Sequence, residues 1–275
     1  MNKKVTDPEY RLPVIEALAN YGTITGGRSM PLTVTGVDRN SGHRNERYVL
    51  KWQNAHQLTI NNLVNELVGA WIAKELDIAC GDPVLINISP DFVEKVMAGQ
   101  EGYKAAKESV GINFGTVFIS GLQPFFNQFK ADEPNIVNQA LMIFVFDLFV
   151  DNADRGQAKP NLFFKKENLI ALDHELIFSF LSLIFIKTDQ PWLVFGDLEL
   201  YNKHPLLPFL KTTTPDVSVC TEKLTRINDN FWNCVNNWLP QAWKSENLNK
   251  IKKRLDLIVS NKDIFAEQIR QIINP

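Results

Sequence analysis

Two short apolar runs, NLFF (161–164) and LIAL (169–172), flank the polar link KKEN. Such a pattern folds as a β-hairpin. If Phe164 faces Leu169, then Asn161 pairs with Leu172. Asn161 and Asp173 then lie side by side at the hairpin's open end. The hairpin sits in a longer stretch, FDLFVDNADRGQAKPNLFFKKENLIALDHE (146–175), that also carries Asp147, Asp151 and Asp154. Carboxylates beside buried strands are costly unless something pairs with them. The partner could be a salt bridge, a turn or a metal ion. An amide oxygen and a carboxylate side by side are hard donors suited to magnesium, and Asp154 can return to the same end through the RGQAKP loop. Asp147, on a helix ending FDLFVD, is expected to make a structural hydrogen bond. Asp151 and Asn152 are expected to cap that helix or orient the loop.

The rest of the chain narrows the class. Its formal net charge of −2 gives no basic excess for nucleic-acid binding. Cys80, Cys220 and Cys234 are odd in number and far apart, which argues against a disulfide framework and for a reducing compartment. Lys3 and Lys4 are followed by no apolar stretch, so a secretory signal is not expected. The longest apolar runs, 140–146 and 176–186, are shorter than the roughly 20 residues that span a bilayer. Together these features predict a cytoplasmic protein with no membrane segment.

Periodicity divides the chain. RYVLKWQ reads as a strand with Tyr48, Leu50 and Trp52 on one face, and NNLVNELVGAWIAKEL as the helix after it. PVLINIS and INFGTVF read as further strands, with a polar stretch of helical turns over 91–112. From about Glu133 the pattern is helical, apart from the hairpin. FWNCVNNWLPQAW carries an aromatic stripe expected to pack in a core. The chain is therefore expected to be α+β, with a β-rich N-terminal lobe over 1–117 and a mainly helical C-terminal lobe over 118–275.

A catalytic-loop Asp, a following Asn and an Asp beyond a hairpin form the arrangement that kinase-type phosphoryl transfer requires. Such a site needs a strand lysine upstream for nucleotide phosphates and a helical carboxylate to fix it. Lys51 stands on the RYVLKWQ strand, and Glu66 on the apolar face of the next helix. A charge on a buried helix face needs a counter-charge, and Lys51 is the one at hand. Upstream, YGTITGGRSMPL offers Gly26, Gly27, Arg28 and Ser29 as a loop over phosphates, since glycines let successive N–H groups turn toward an anion. No Gly-Lys-Ser/Thr follows, so it is not a Walker A sequence.

TGGRSMPL, YVLKW, NELVGAWIAKELDI, NFGTVFISG, DNADRGQAKPNLFF and LIALDHELIF, in that order, resemble the HipA-like kinases, in particular their short stand-alone domain. The resemblance implies a bilobal, protein-kinase-like fold with ATP and Mg2+ in the cleft and NFGTVFISG as the hinge. By match to the family's motifs, Asp154 is the catalytic base and Asn161 and Asp173 the metal ligands. Lys51 is the phosphate lysine and Glu66 its partner. Members of the wider family phosphorylate proteins on serine or threonine, and some are toxins paired with an antitoxin. A protein acceptor and an antitoxin-like partner are thus implied.

Two departures stand out. The gap from Asp154 to Asn161 is two residues longer than in ordinary protein kinases, and His174 and Glu175 replace the Phe and Gly of D-F-G. A serine/threonine kinase is the leading expectation. A lipid or small-molecule kinase, and a pseudokinase-like binding module without turnover, stay open.

Overall fold

The computed structural model describes residues 3–24, 29–55, 58–125, 134–182, 189–194, 201–213 and 215–274. It divides into two compact units. One comprises 1–3, 7–70 and 81–120, and the other 4–6, 71–80 and 121–275. The fold is α+β, β-rich in its N-terminal part and helical in its C-terminal part.

The first unit is built on a small closed barrel of β1 (Val14–Thr23), β2 (Leu32–Asp38), β3 (Arg44–Lys51), β4 (Pro83–Ile88) and β5 (Gly111–Val117), ordered β1-β2-β3-β5-β4. Closure comes from parallel pairing of β1 with β4 over Val14–Glu16. Ile15, Leu32, Val34, Tyr48, Leu50 and Ile86 fill the interior. So narrow a barrel needs places where neighbouring strands nearly touch. A Cβ on Gly36 would stand 2.4 Å from Ile15 Cγ2, and one on Gly115 would stand 2.3 Å from Ile86 Cδ1. These two glycines let the wall close.

Helix α1 (Ile60–Glu75) lies between β3 and β4 in the chain and buries Leu63, Leu67 and Ala70. The polar stretch after β4 holds two short helices, α2 (Pro90–Lys95) and α3 (Tyr103–Glu108). Ser89 caps α2 by accepting from the Phe92 N–H at 3.1 Å.

The second unit is organised around α4 (Pro134–Phe149), whose residues from Ala140 to Phe149 are all buried. A three-stranded antiparallel sheet orders β6 (Gln123–Pro124), β7 (Leu162–Lys165) and β8 (Asn168–Ala171). Phe164 pairs with Leu169, the register expected from the apolar pattern. The ladder extends further than expected, because Lys165 also pairs with Asn168. The four-residue link is therefore a two-residue turn, with Lys166 at φ 56°.

Beyond the sheet come α5 (Leu207–Leu210), α6 (Val217–Lys223), α7 (Asp229–Trp238), α8 (Glu246–Ser260) and α9 (Lys262–Ile273). Phe231, Trp232 and Trp243 of the aromatic stripe are buried, as core residues should be. The last four residues of the apolar run 176–186 lie outside the described residues. Among the described residues, no helix is long and apolar enough to cross a membrane.

Candidate active site

The open end of the β7–β8 hairpin gathers the expected donors of the second unit. The Leu172 N–H donates to the Asn161 carbonyl at 3.0 Å, so Asn161 and Asp173 leave the ladder together. Both adopt left-handed backbone, with φ 51° at Asn161 and 64° at Asp173. Asx side chains tolerate that region better than most, and its use by ordered non-glycine residues clusters at functional sites. Asn161 Nδ2 donates to Asp154 Oδ2 at 3.2 Å. Its Oδ1 is the oxygen it has for a cation.

Charge is unbalanced at this end. Burial raises the Asp154 carboxyl above its ordinary value, and the nearby Asp173 carboxylate raises it further. Lys159, Asn161 and Arg155 pull the other way without reversing the shift. Lys159 Nζ lies 3.2 Å from Asp173 Oδ2, on a half-exposed side chain. Two carboxylates and an amide oxygen, with one loosely held lysine among them, form a hard-oxygen set that fits a divalent cation.

The loop is braced from below by Asp147, which is buried on α4. Asp147 Oδ1 accepts from Asn152 Nδ2 at 2.6 Å, and Asn152 Oδ1 accepts from the Asp154 N–H at 3.1 Å. Arg155 Nε donates to Asp147 Oδ2 at 2.9 Å, and His204 Nε2 is 3.0 Å from the same oxygen. Burial alone would raise the Asp147 carboxyl. The Arg155 guanidinium and the His204 hydrogen bond overcome it and hold the group well below the usual carboxylate range. Asp151, at φ 53°, caps the 3-10 turn Ser179–Leu181. Its Oδ2 accepts from Ser179 Oγ at 2.7 Å and from the Phe180 N–H at 2.8 Å.

In the first unit, Lys51 closes β3 and Glu66 lies on the buried face of α1. Their side chains form an ion pair, with 11% and 4% exposure. Exclusion of water makes the pair geometrically strict, since either charge alone would be costly. The register Lys51↔Phe114 and Leu50↔Gly115 sets the lysine on the barrel wall. The β1–β2 hairpin carries the Gly-rich loop, closed at its base by Ile24 N–H to Pro31 C=O at 2.8 Å. Gly26, Gly27 and Arg28 lie outside the described residues. Ser29 is described and buried.

Sequence reasoning overlooked three residues. Lys159 could have been noticed as a cation inside an acidic loop. Arg155 was flanked by polar and small residues that suggest exposure, yet it is 4% exposed. His204 is 57 positions from Asp147, and nothing in its surroundings announces the contact. His174 is buried with its ring edge-on to Phe146 at 5.5 Å.

The family model of HipA-like kinases matches residues 39–191, more than half of the chain. No curated protein matches it by sequence. Among solved structures, the Helicobacter pylori proinflammatory kinase CtkA is similar with a TM-score of 0.51 at 14% identity, covering 94% of this chain and 98% of that one. That likeness shows a protein-kinase-like fold. A Golgi casein kinase with Mn/ADP bound is similar at a TM-score of 0.43 and 12% identity, over 94% of this chain and 74% of that one. The second likeness is too weak to bear on the fold.

Proposed function

The chain belongs to the HipA-like kinase family, and from that premise we propose that it is an ATP- and magnesium-dependent kinase whose acceptor is a protein serine or threonine. The observation that carries this reading is the convergence of Asp154, Asn161 and Asp173 at one hairpin end, with Asn161 bonded to Asp154. Asn161 and Asp173 would hold the magnesium ion. When bound, that ion supplies charge neutralisation of the transferring phosphoryl group. Lys51, fixed by Glu66, binds nucleotide phosphate oxygens. Gly26, Gly27, Arg28 and Ser29 are the residues that would cover the phosphates, an assignment supported by the match of TGGRSMPL to the family's motif.

Asp154 takes the role of general base. Its carboxylate accepts the acceptor hydroxyl proton at Oδ1 or Oδ2 while Asn161 Nδ2 keeps the side chain aimed. A base with its affinity for protons raised by burial and by Asp173 suits that role. Family membership also favours a cytoplasmic protein with an antitoxin-like partner, and neither is needed for the chemistry.

Mass spectrometry of the purified protein, incubated with ATP and magnesium with and without candidate peptides, is the direct test. Phosphate on a serine or threonine is expected. Transfer only to lipids or small metabolites would change the acceptor class. Tight nucleotide binding with no transfer to any acceptor would make the chain a binding module.

A further inference from the structure

The buried guanidinium of Arg155 reaches more of the loop than any other side chain described in it. Its side chain is 1% exposed. Nε and Nη2 grip Asp147 Oδ2 and Oδ1 at 2.9 and 3.3 Å. Nη1 is turned toward three carbonyl oxygens, those of Pro160 at 3.2 Å, Asn161 at 3.1 Å and Leu172 at 3.0 Å. One of these belongs to Asn161 itself, and another to the residue immediately before Asp173. A single planar group therefore ties down the backbone at both left-handed positions. Asp147 continues the link to the third donor through Asn152, whose Oδ1 holds the Asp154 N–H.

His204 completes the brace. The Leu206 N–H donates to His204 Nδ1 at 3.2 Å, so the proton is on Nε2 and is donated to Asp147. The Phe144 ring packs edge-on against the imidazole at 4.9 Å. The set is thus one cation, one anion and one neutral donor, balanced without outside charge. A lysine could neutralise Asp147 but could not fork between a carboxylate and three carbonyls.

We propose that Arg155, held by Asp147 and His204, is the positioning residue that sets the spacing of Asn161 and Asp173 for the cation and keeps the Asp154 base beside them; this rests on the kinase reading of those three residues. It touches neither metal nor nucleotide and acts through the backbone. Loss of such outer supports typically lowers metal affinity by about 10- to 100-fold.

The experiment measures Mn2+ binding by electron paramagnetic resonance in the presence of ADP, and ADP binding without metal by calorimetry. It compares wild type, Arg155→Lys and His204→Ala. Metal-free ADP affinity should stay within about threefold of wild type in both variants, while Mn2+ affinity falls about 10- to 100-fold in Arg155→Lys and by a smaller factor in His204→Ala. Wild-type Mn2+ affinity in a folded Arg155→Lys overturns the proposal. If Arg155→Lys gives no cooperative melt, His204→Ala decides, and unchanged Mn2+ affinity there overturns it. A wild type that binds ADP but no Mn2+ overturns the kinase reading itself, an outcome visible before any variant is made.

Discussion

Asn161 Nδ2 donates to Asp154 Oδ2 across a loop of seven positions, and the hairpin that follows holds the end of that loop in place. The contact aims a half-buried carboxylate whose charge is disfavoured by burial and by Asp173. Asp154→Asn removes a charge that the fold does not stabilise, so the variant should melt no lower than wild type. It should keep nucleotide affinity within a few-fold, yet transfer phosphate roughly 100-fold more slowly or worse, the usual scale for a positioned general base. Calorimetry and phosphate incorporation on the same preparation decide it. A wild-type rate of incorporation removes Asp154 from the chemistry.

Asp173 should carry the response to magnesium. In Asp173→Asn, the thermal shift produced by adding magnesium to the nucleotide-bound protein should vanish, while Glu66→Gln should retain it. An identical magnesium titration for Asp173→Asn and wild type would rule out Asp173 as a ligand.

Lys51 and Glu66 are too enclosed to be altered singly without a stability effect. Lys51→Met removes the ion-pair partner of a carboxylate that is 4% exposed, and breaking a buried pair costs roughly 3–5 kcal/mol. The double variant Lys51→Met with Glu66→Gln should regain most of that loss in chemical denaturation. It should not regain nucleotide affinity. If affinity returns with stability, the lysine serves packing alone.

Acid should weaken the fold in two stages. Burial lowers the pKa of His204 despite the Asp147 carboxylate beside it, with Arg155 acting in the same direction as burial. Below about pH 6.5 the unfolded imidazole takes up a proton that the folded one resists. Stability is therefore fully present above that pH and falls as pH drops, by up to about 1.4 kcal/mol per unit. Asp147, with its folded pKa depressed, adds a second loss below roughly pH 4. Denaturant midpoints at pH 7.5 and 5.5 should differ less in His204→Gln than in wild type. Equal differences would show that another group sets the first stage.

The hairpin was legible because its register is dictated by neighbouring residues. Phe163, Phe164, Leu169 and Ile170 can share a ladder in few ways, and Asn161 and Asp173 follow from it. Glu66 was legible because helical periodicity puts it among Leu63, Leu67 and Ala70. The barrel's closure was not, since the β1–β4 pairing joins residues about 70 apart and depends on Gly36 and Gly115 being small where other walls approach. Nor was the Asp147–Arg155–His204 brace. Its members obey no common period, and an arginine in a polar loop is ordinarily solvated.

The two units share the chain in interleaved pieces, and this governs how the protein can be dissected. Residues 4–6 and 71–80 belong with the second unit although the first unit's segments lie on either side of them. Lys4 pairs with Asp77 at 2.7 Å, and Thr6 donates to Glu75 at 2.9 Å, both within that second unit. A fragment ending at residue 120 would carry Trp71, Ile72, Leu76 and Ile78, all buried in the intact chain, without the partners that cover them. The complementary fragment would lack the segment whose Ala79 bridges Ile170 of β8. No single cleavage yields two self-sufficient halves, so mixing separately expressed pieces should restore activity only if both fold together.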